Sequence, residues 1–161
     1  MLSKIESQRF ELIRDAIGRV LCTELSNQKK LQGFDFENVG VHLERTDPFD
    51  KTELPAVNIC YVESRLTDEN NAFESTFDNK FFIEVYASAK SEMNVTGDKA
   101  AALLVTKIMG MVRVILRNER YYYLDFTGKF IQGRKVENIA RTQPRIQNDN
   151  ENTASGVFII V

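Results

Sequence analysis

Histidine occurs once and cysteine only twice in the 161 residues, and these scarcities remove several kinds of chemistry. His42 has no cysteine and no second histidine near it, so no zinc ligand set is written around it. It reads as a strand-surface histidine. Cys22 and Cys60 are too few and too far apart in sequence for a disulfide framework. Two buried free thiols, packing as small hydrophobes, are expected instead. Long apolar runs are missing as well: none approaches the roughly 18 residues that cross a bilayer, so no membrane partner is expected. The opening Met1-Leu2-Ser3-Lys4-Ile5-Glu6 has polar and acidic residues where a signal peptide carries its apolar core, which predicts a cytoplasmic protein. With 21 basic against 23 acidic residues the net charge is -2. That gives no global attraction to nucleic acid or an anionic membrane.

Catalytic motifs are equally scarce. Gly97-Asp98-Lys99 opens a predicted helix but lacks the two-glycine spacing and the Lys-Ser/Thr pair of a phosphate loop. No serine sits in a nucleophile elbow. Nothing in the spacing of Glu63, Asp78 and Glu84 demands an acid–base pair. No catalytic, cofactor-binding or metal-binding residue is assigned, and the chain is not expected to be an enzyme. Its composition is that of an ordinary globular protein, 43% hydrophobic and 27% charged. One domain over residues 1–161 suffices to bury a core.

The best-patterned stretch is Leu54–Lys90. Two strands are predicted there, Pro55–Glu63 and Lys80–Ser88, both crowded with β-branched and aromatic residues. The link between them, Arg65–Asn79, is polar and acidic, and the second strand can begin as early as Phe77. Before this stretch, Ile5, Leu12, Ile13, Ala16, Ile17, Val20 and Leu21 recur at helical spacing, which predicts a helix over Ser3–Glu24 with Ser3 and Glu6 as a capping box. Leu25–Asn38 reads as a loop anchored by Leu31, Phe34 and Phe36, and Val39–Leu43 as a short strand. A second helix is predicted over Gly97–Arg117, striped by Ala101, Leu104, Val105, Ile108, Met111, Val112 and Ile115. Gly110 inside it suggests close packing. Tyr121–Leu124 can form a short strand, and strands over Arg134–Ile146 and Gly156–Val161 close the chain as a hairpin.

The resulting order, α-β-β-β-α-β-β, predicts an α+β fold. Its sheet is mainly antiparallel (mixed), with four to five strands and two helices packed on one face. Alternation puts Val57, Ile59, Tyr61, Phe81, Ile83, Val85 and Ala87 under the helices. Ala56, Asn58, Cys60, Val62, Phe82, Glu84 and Tyr86 fall on the other face, which is half apolar. Two readings of that face stay open: an interaction surface, or a face covered by the loops Leu25–Asn38 and Asn118–Gly133. A basic-aromatic run is the one other candidate feature. Arg113, Arg117, Arg120, Lys129, Arg134 and Lys135 flank Tyr121, Tyr122, Tyr123, Phe126 and Phe130, an interleaving that can hold single-stranded nucleic acid. A cationic helix end followed by core aromatics gives the same pattern.

These runs and their order resemble the tail terminator (minor tail protein) family of long-tailed bacteriophages. The likeness rests on the N-terminal helix, then Leu54-Pro55-Ala56-Val57-Asn58-Ile59-Cys60-Tyr61 as a Phe/Leu-Pro-Ala-Val-x-Val-Tyr strand. The acidic link follows, then Phe81-Phe82-Ile83-Glu84-Val85-Tyr86-Ala87 as a Leu-x-Ile-Glu-Val-Tyr/Phe strand, a long helix, and the apolar close Val157–Val161. It spans most of the chain, while Leu25–Asn38 and Asn118–Ile146 depart from the shorter members. The resemblance implies a structural protein forming a ring, usually a hexamer, that caps the tail tube, stops its polymerisation and offers the surface for head attachment. Its partners would be further copies of itself, the tail tube protein and a head–tail connector or neck protein. It would occupy the bacterial host cytoplasm during assembly and then the virion tail. Under this reading the subunit interface is expected to use Phe82, Tyr86 and Phe158 of the outer face, with Arg65, Asp68, Glu69 and Phe73 of the link. DNA would meet the protein only in passing through the ring, near Arg113, Arg117, Arg120, Arg134 and Lys135. A neck protein of similar fold and a small nucleic-acid-binding module using Arg113–Lys135 are the alternatives.

Overall fold

The structure, a computed structural model, describes residues 3–33, 38–67, 77–89, 96–127, 136–142 and 153–161; for 136–142, 153, 155 and 158–160 it describes the backbone alone. Helix α1 runs over Arg9–Gln32, and strands β1 (Gly40–Leu43), β2 (Ala56–Leu66) and β3 (Phe77–Ser88) follow. Helix α2 (Gly97–Arg117) then precedes β4 (Val136–Thr142) and β5 (Thr153–Ile160). The sheet is mixed, in the order β1-β2-β3-β5-β4. Among the described residues the β1–β2 pairing is parallel and the other pairings are antiparallel. The α+β architecture is the one that the alternating and helical periods predict.

The core is the layer between one sheet face and the two helices. α1 covers β1 and β2, and α2 covers β3 and β5. Ala16, Ile17, Val20, Leu21 and Leu25 of α1 meet Val57 and Ile59, while Ala101, Val105, Ile108 and Val112 of α2 belong to the same cluster as Phe81, Ile83, Val85 and Ala87. Strand alternation sends these rows to one side because successive side chains point to opposite faces. At Gly18 α1 comes close to the sheet: an added Cβ would lie 2.8 Å from Leu43 Cδ2.

Several boundaries differ from the sequence reading. α1 starts at Arg9, where the Gln8 N–H donates to Glu11 Oε2 at 2.6 Å. The Ser3–Glu6 pair has the same spacing, but Ile5 is 74% exposed and has no core to anchor a turn there. At its other end α1 continues through the expected loop to Gln32, stopping where Gly33 adopts φ 73. Gln, Lys and Leu are good helix formers, and Lys29 and Lys30 suit the negative end of the helix dipole. Leu31 anchors nothing, being 78% exposed; Phe34 and Phe36 lie outside the described residues. Among the described residues nothing lies within 4 Å of where a Gly110 Cβ would be, so no packed neighbour is found there. Tyr121–Leu124 forms turns, not a strand. β4 and β5 do pair as the expected hairpin, with bounds shifted by a few positions.

Candidate functional site

The outer sheet face is organised by the connection from β1 to β2, residues 44–55. Arg45 is its hub. Its Nη1 and Nη2 donate to the two carboxylate oxygens of Glu53, both at 2.7 Å. Its Nε donates to the Asp47 carbonyl, Nη2 also reaches the Pro48 carbonyl, and the guanidinium lies 4.3 Å from the Phe49 ring centroid. A planar fork of donors suits this bidentate, stacked arrangement better than an ammonium. The Arg45 guanidinium, and next the Asp50 N–H, hold Glu53 down at about 2.

This cap presses Phe49 onto the sheet. Phe49, Ala56 and Tyr86 form a second buried cluster, with Leu54 packed against it. The rings of Phe49 and Tyr86 lie 5.1 Å apart, and His42 meets Phe49 edge-on. Burial, then the charge of Arg45, pushes the His42 imidazole below its ordinary value. Below the cap, Asn58 is 1% exposed. Its Oδ1 accepts from the Arg45 N–H at 3.1 Å, and its Nδ2 donates to the Arg45 carbonyl at 2.9 Å and to Glu84 Oε2 at 3.0 Å. The amide thus clamps the cap to β2 and β3 together.

Tyr86 does face away from both helices, paired across the ladder with Ala56. At 4% exposure, its ring is packed under Phe49 within its own chain. Among the described residues the cover comes from 44–55; parts of the two loops that the sequence suggests, 34–37 and 128–133, lie outside the described residues. Phe82, opposite Cys60, also faces away from the helices and stays half-buried. Phe158 has only its backbone described, and the register sets it opposite Ile83 on the helix side. Val157, opposite Glu84 and half-buried, stands on the outer row in its place. Cys22 and Cys60 are not joined in a disulfide, and Cys22 is exposed rather than buried because it falls just off the stripe that holds Leu21.

Beyond the core, β2 and β3 continue as a two-stranded arm. A register shift between Tyr61 and Glu63 changes the pairing parity, as a bulge does by adding one residue. Afterwards Ser64 faces Asn79, Arg65 faces Asp78 and Leu66 faces Phe77. The expected link is therefore shorter, since its two ends are strand. Tyr61 Oη and Ser64 Oγ lie 2.9 Å apart, and Ser64 Oγ donates to Asn79 Oδ1 at 2.6 Å. Arg65 and Lys80 both approach Glu63, at 3.2 and 3.7 Å. Val62, Leu66 and Phe77 stay 38, 45 and 50% exposed. Asp68, Glu69 and Phe73 lie outside the described residues.

The basic candidates divide. Arg113 and Arg117 are exposed on α2 one turn apart and, with Gly110, Val114 and Asn118, line a shallow open depression. Arg120 sits in the turn after α2, 5.5 Å from the Tyr121 ring. Tyr121 itself donates its hydroxyl to Glu24, whose bond pushes the phenol up, so it ties α1 to the turn instead of waiting for a base. Tyr122 is the more exposed ring, at 46%. Arg134 and Lys135 lie outside the described residues.

Among the described residues no group of His, Cys, Asp and Glu is placed to hold a metal ion, and no helix is long and apolar enough to cross a membrane. The fold defines an α+β protein with both helices on one face of a mixed sheet. No protein-family model matches the chain, and no curated protein matches it.

Proposed function

We propose that the protein is a structural subunit of a phage or prophage virion that assembles into a ring, most simply a hexamer, capping the tail tube. In this role it ends tube polymerisation and presents the surface to which the head is joined. Its partners are other copies of itself, the tube protein and a neck protein, first in the host cytoplasm and then in the virion tail. One observation carries the reading: both helices lie on the same sheet face, and among the described residues the other face is capped at one end only. Past Phe49 and Tyr86 the outer row continues through Cys60, Phe82 and Val157, all half-buried, toward the exposed arm. A surface of this kind suits a protein–protein contact better than catalysis. A neck protein of the same fold would use it in the same way.

Light scattering on a sizing column, combined with negative-stain imaging, tests the proposal. Rings are expected, alone or on added tail tubes. A strict monomer at high concentration, with no ring on tubes, would sink it. The depression holding Arg113 and Arg117 supports a second reading, a nucleic-acid-binding module, and a titration of labelled DNA decides it. No binding at low salt would end that reading, because phosphate contacts are strongest there.

A further inference from the structure

We propose that the outward face of α2 is a docking seam for an acidic amphipathic helix of a partner protein, a surface apart from the outer sheet face and independent of the ring reading. From Lys99 to Arg117 the sequence contains no aspartate or glutamate, although the whole chain is net acidic at -2. The basic side chains of this span, Lys99, Lys107, Arg113 and Arg117, are all exposed. Asp98 opens the helix and Glu119 lies past its end. Arg14, Arg19, Arg45 and Arg65 each meet a carboxylate of the chain. Among the described residues Arg113 and Arg117 meet none. They stand one turn apart, a spacing at which like charges repel. The helix dipole favours Arg117 in the last turn but opposes Lys99 in the first. Folding alone therefore gives little reason for the row.

Cations alone suit any polyanion, and the apolar residues among them select the kind. Lys99, Leu103, Lys107, Gly110, Val114 and Arg117 follow one another in steps of four, four, three, four and three residues, one line along the helix. Leu103 is 58% and Val114 67% exposed, and they stand roughly 16 Å apart along the axis. Gly110 lies between them, exposed, and among the described residues an added Cβ there meets nothing within 4 Å. Glycine is unfavourable in a helix interior, but the gap it leaves lets a second helix approach the backbone between two apolar knobs. Steps of three and four are those at which the side chains of one helix meet those of another. The complement is a helix with apolar residues opposite Leu103 and Val114 and carboxylates opposite the cations, since matched charge steers encounter and fixes register. A nucleic acid strand would use the cations but leave both aliphatic side chains idle, because bases stack on aromatic rings.

The probe is a labelled synthetic helical peptide with a leucine stripe flanked by glutamates, about 20 residues long to match a seam of about 27 Å. It is titrated against the full chain at low salt, beside a scrambled peptide of the same composition and a labelled oligothymidine. The helical peptide is expected to bind best and to weaken as salt is raised. Two variants separate the parts of the seam. Gly110→Gln fills the gap without changing charge, and Arg113→Glu with Arg117→Glu reverses the charge without filling the gap. Each is expected to weaken the helical peptide roughly tenfold or more, while melting curves report that both proteins stay folded. The seam is overturned if the helical peptide fails to bind folded wild type at low salt, or if the scrambled peptide binds as well. Gly110→Gln binding as wild type does would also overturn it, leaving only a diffuse charge effect. Tighter binding of oligothymidine than of the helical peptide overturns it in favour of nucleic acid. The ring reading is decided separately, by the mass of the protein without peptide.

Discussion

At the residue scale the deciding group is Asn58, buried at 1% exposure with its amide oxygen and nitrogen both bonded to the Arg45 backbone. Asn58→Ala would strip partners from a backbone N–H, a backbone carbonyl and the Glu84 carboxylate together. Leaving buried groups unsatisfied costs more than the bonds contribute, so a loss of about 2–3 kcal/mol is expected in urea unfolding. Glu53 gives a test with a direction in pH. Its folded-state value is lowered from 4.5 to about 2 by Arg45 and the Asp50 N–H. A lowered carboxylate value means that the unfolded chain takes up protons first as pH falls. The stabilisation is fully present above about pH 5, once the unfolded-state carboxylate is ionised, and fades between 4.5 and about 2. Glu53→Gln should therefore be less stable than wild type at pH 7, and the gap should close as pH approaches 2 in parallel denaturation series. A gap independent of pH would remove the Arg45–Glu53 pair as its cause. Neither residue announces its role in the sequence. Asn58 and Arg45 meet 13 positions apart, and only the fold-back of residues 44–55 brings them together.

Elements with a strong period were legible, and those held by local exceptions were not. α2 occupies the predicted span, Gly97–Arg117, because a long uninterrupted stripe has one solution against a sheet. The rows Val57, Ile59, Phe81, Ile83 and Val85 follow from alternation. The limits of α1 were hidden because two pairs, Ser3–Glu6 and Gln8–Glu11, share one spacing, and only packing chooses between them. The arm was hidden because the register shift after Tyr61 breaks the alternation on which a strand reading depends. Part of the candidate site was readable: Arg113 and Arg117 stand out by charge. The depression was not, since Gly110 invited an explanation by close packing, and only the empty space around it reverses that. The reversal has a measurable consequence in the isolated chain. Gly110→Ala should stabilise it by about 0.5–1 kcal/mol, raising the melting temperature by about 1–4 °C. A drop instead would show that something within the chain needs the glycine.

For the whole molecule, the question is whether one chain carries both halves of a contact. A ring of identical chains needs two unlike patches on every subunit, because a two-fold, self-complementary contact stops at dimers. Under the ring reading the outer row through Cys60, Phe82 and Val157, which faces away from the helices, supplies one of them. Phe82→Asp puts a charge on that row without touching the helix-side core, so the chain should still fold, as its circular dichroism and melting would report. Light scattering should then read a mass near the 18.5 kDa of a single chain, against a larger mass for wild type. A Phe82→Asp chain that assembles as wild type does would place the contact elsewhere, and a wild type that stops at about 37 kDa, twice one chain, would point to a two-fold contact instead of a ring.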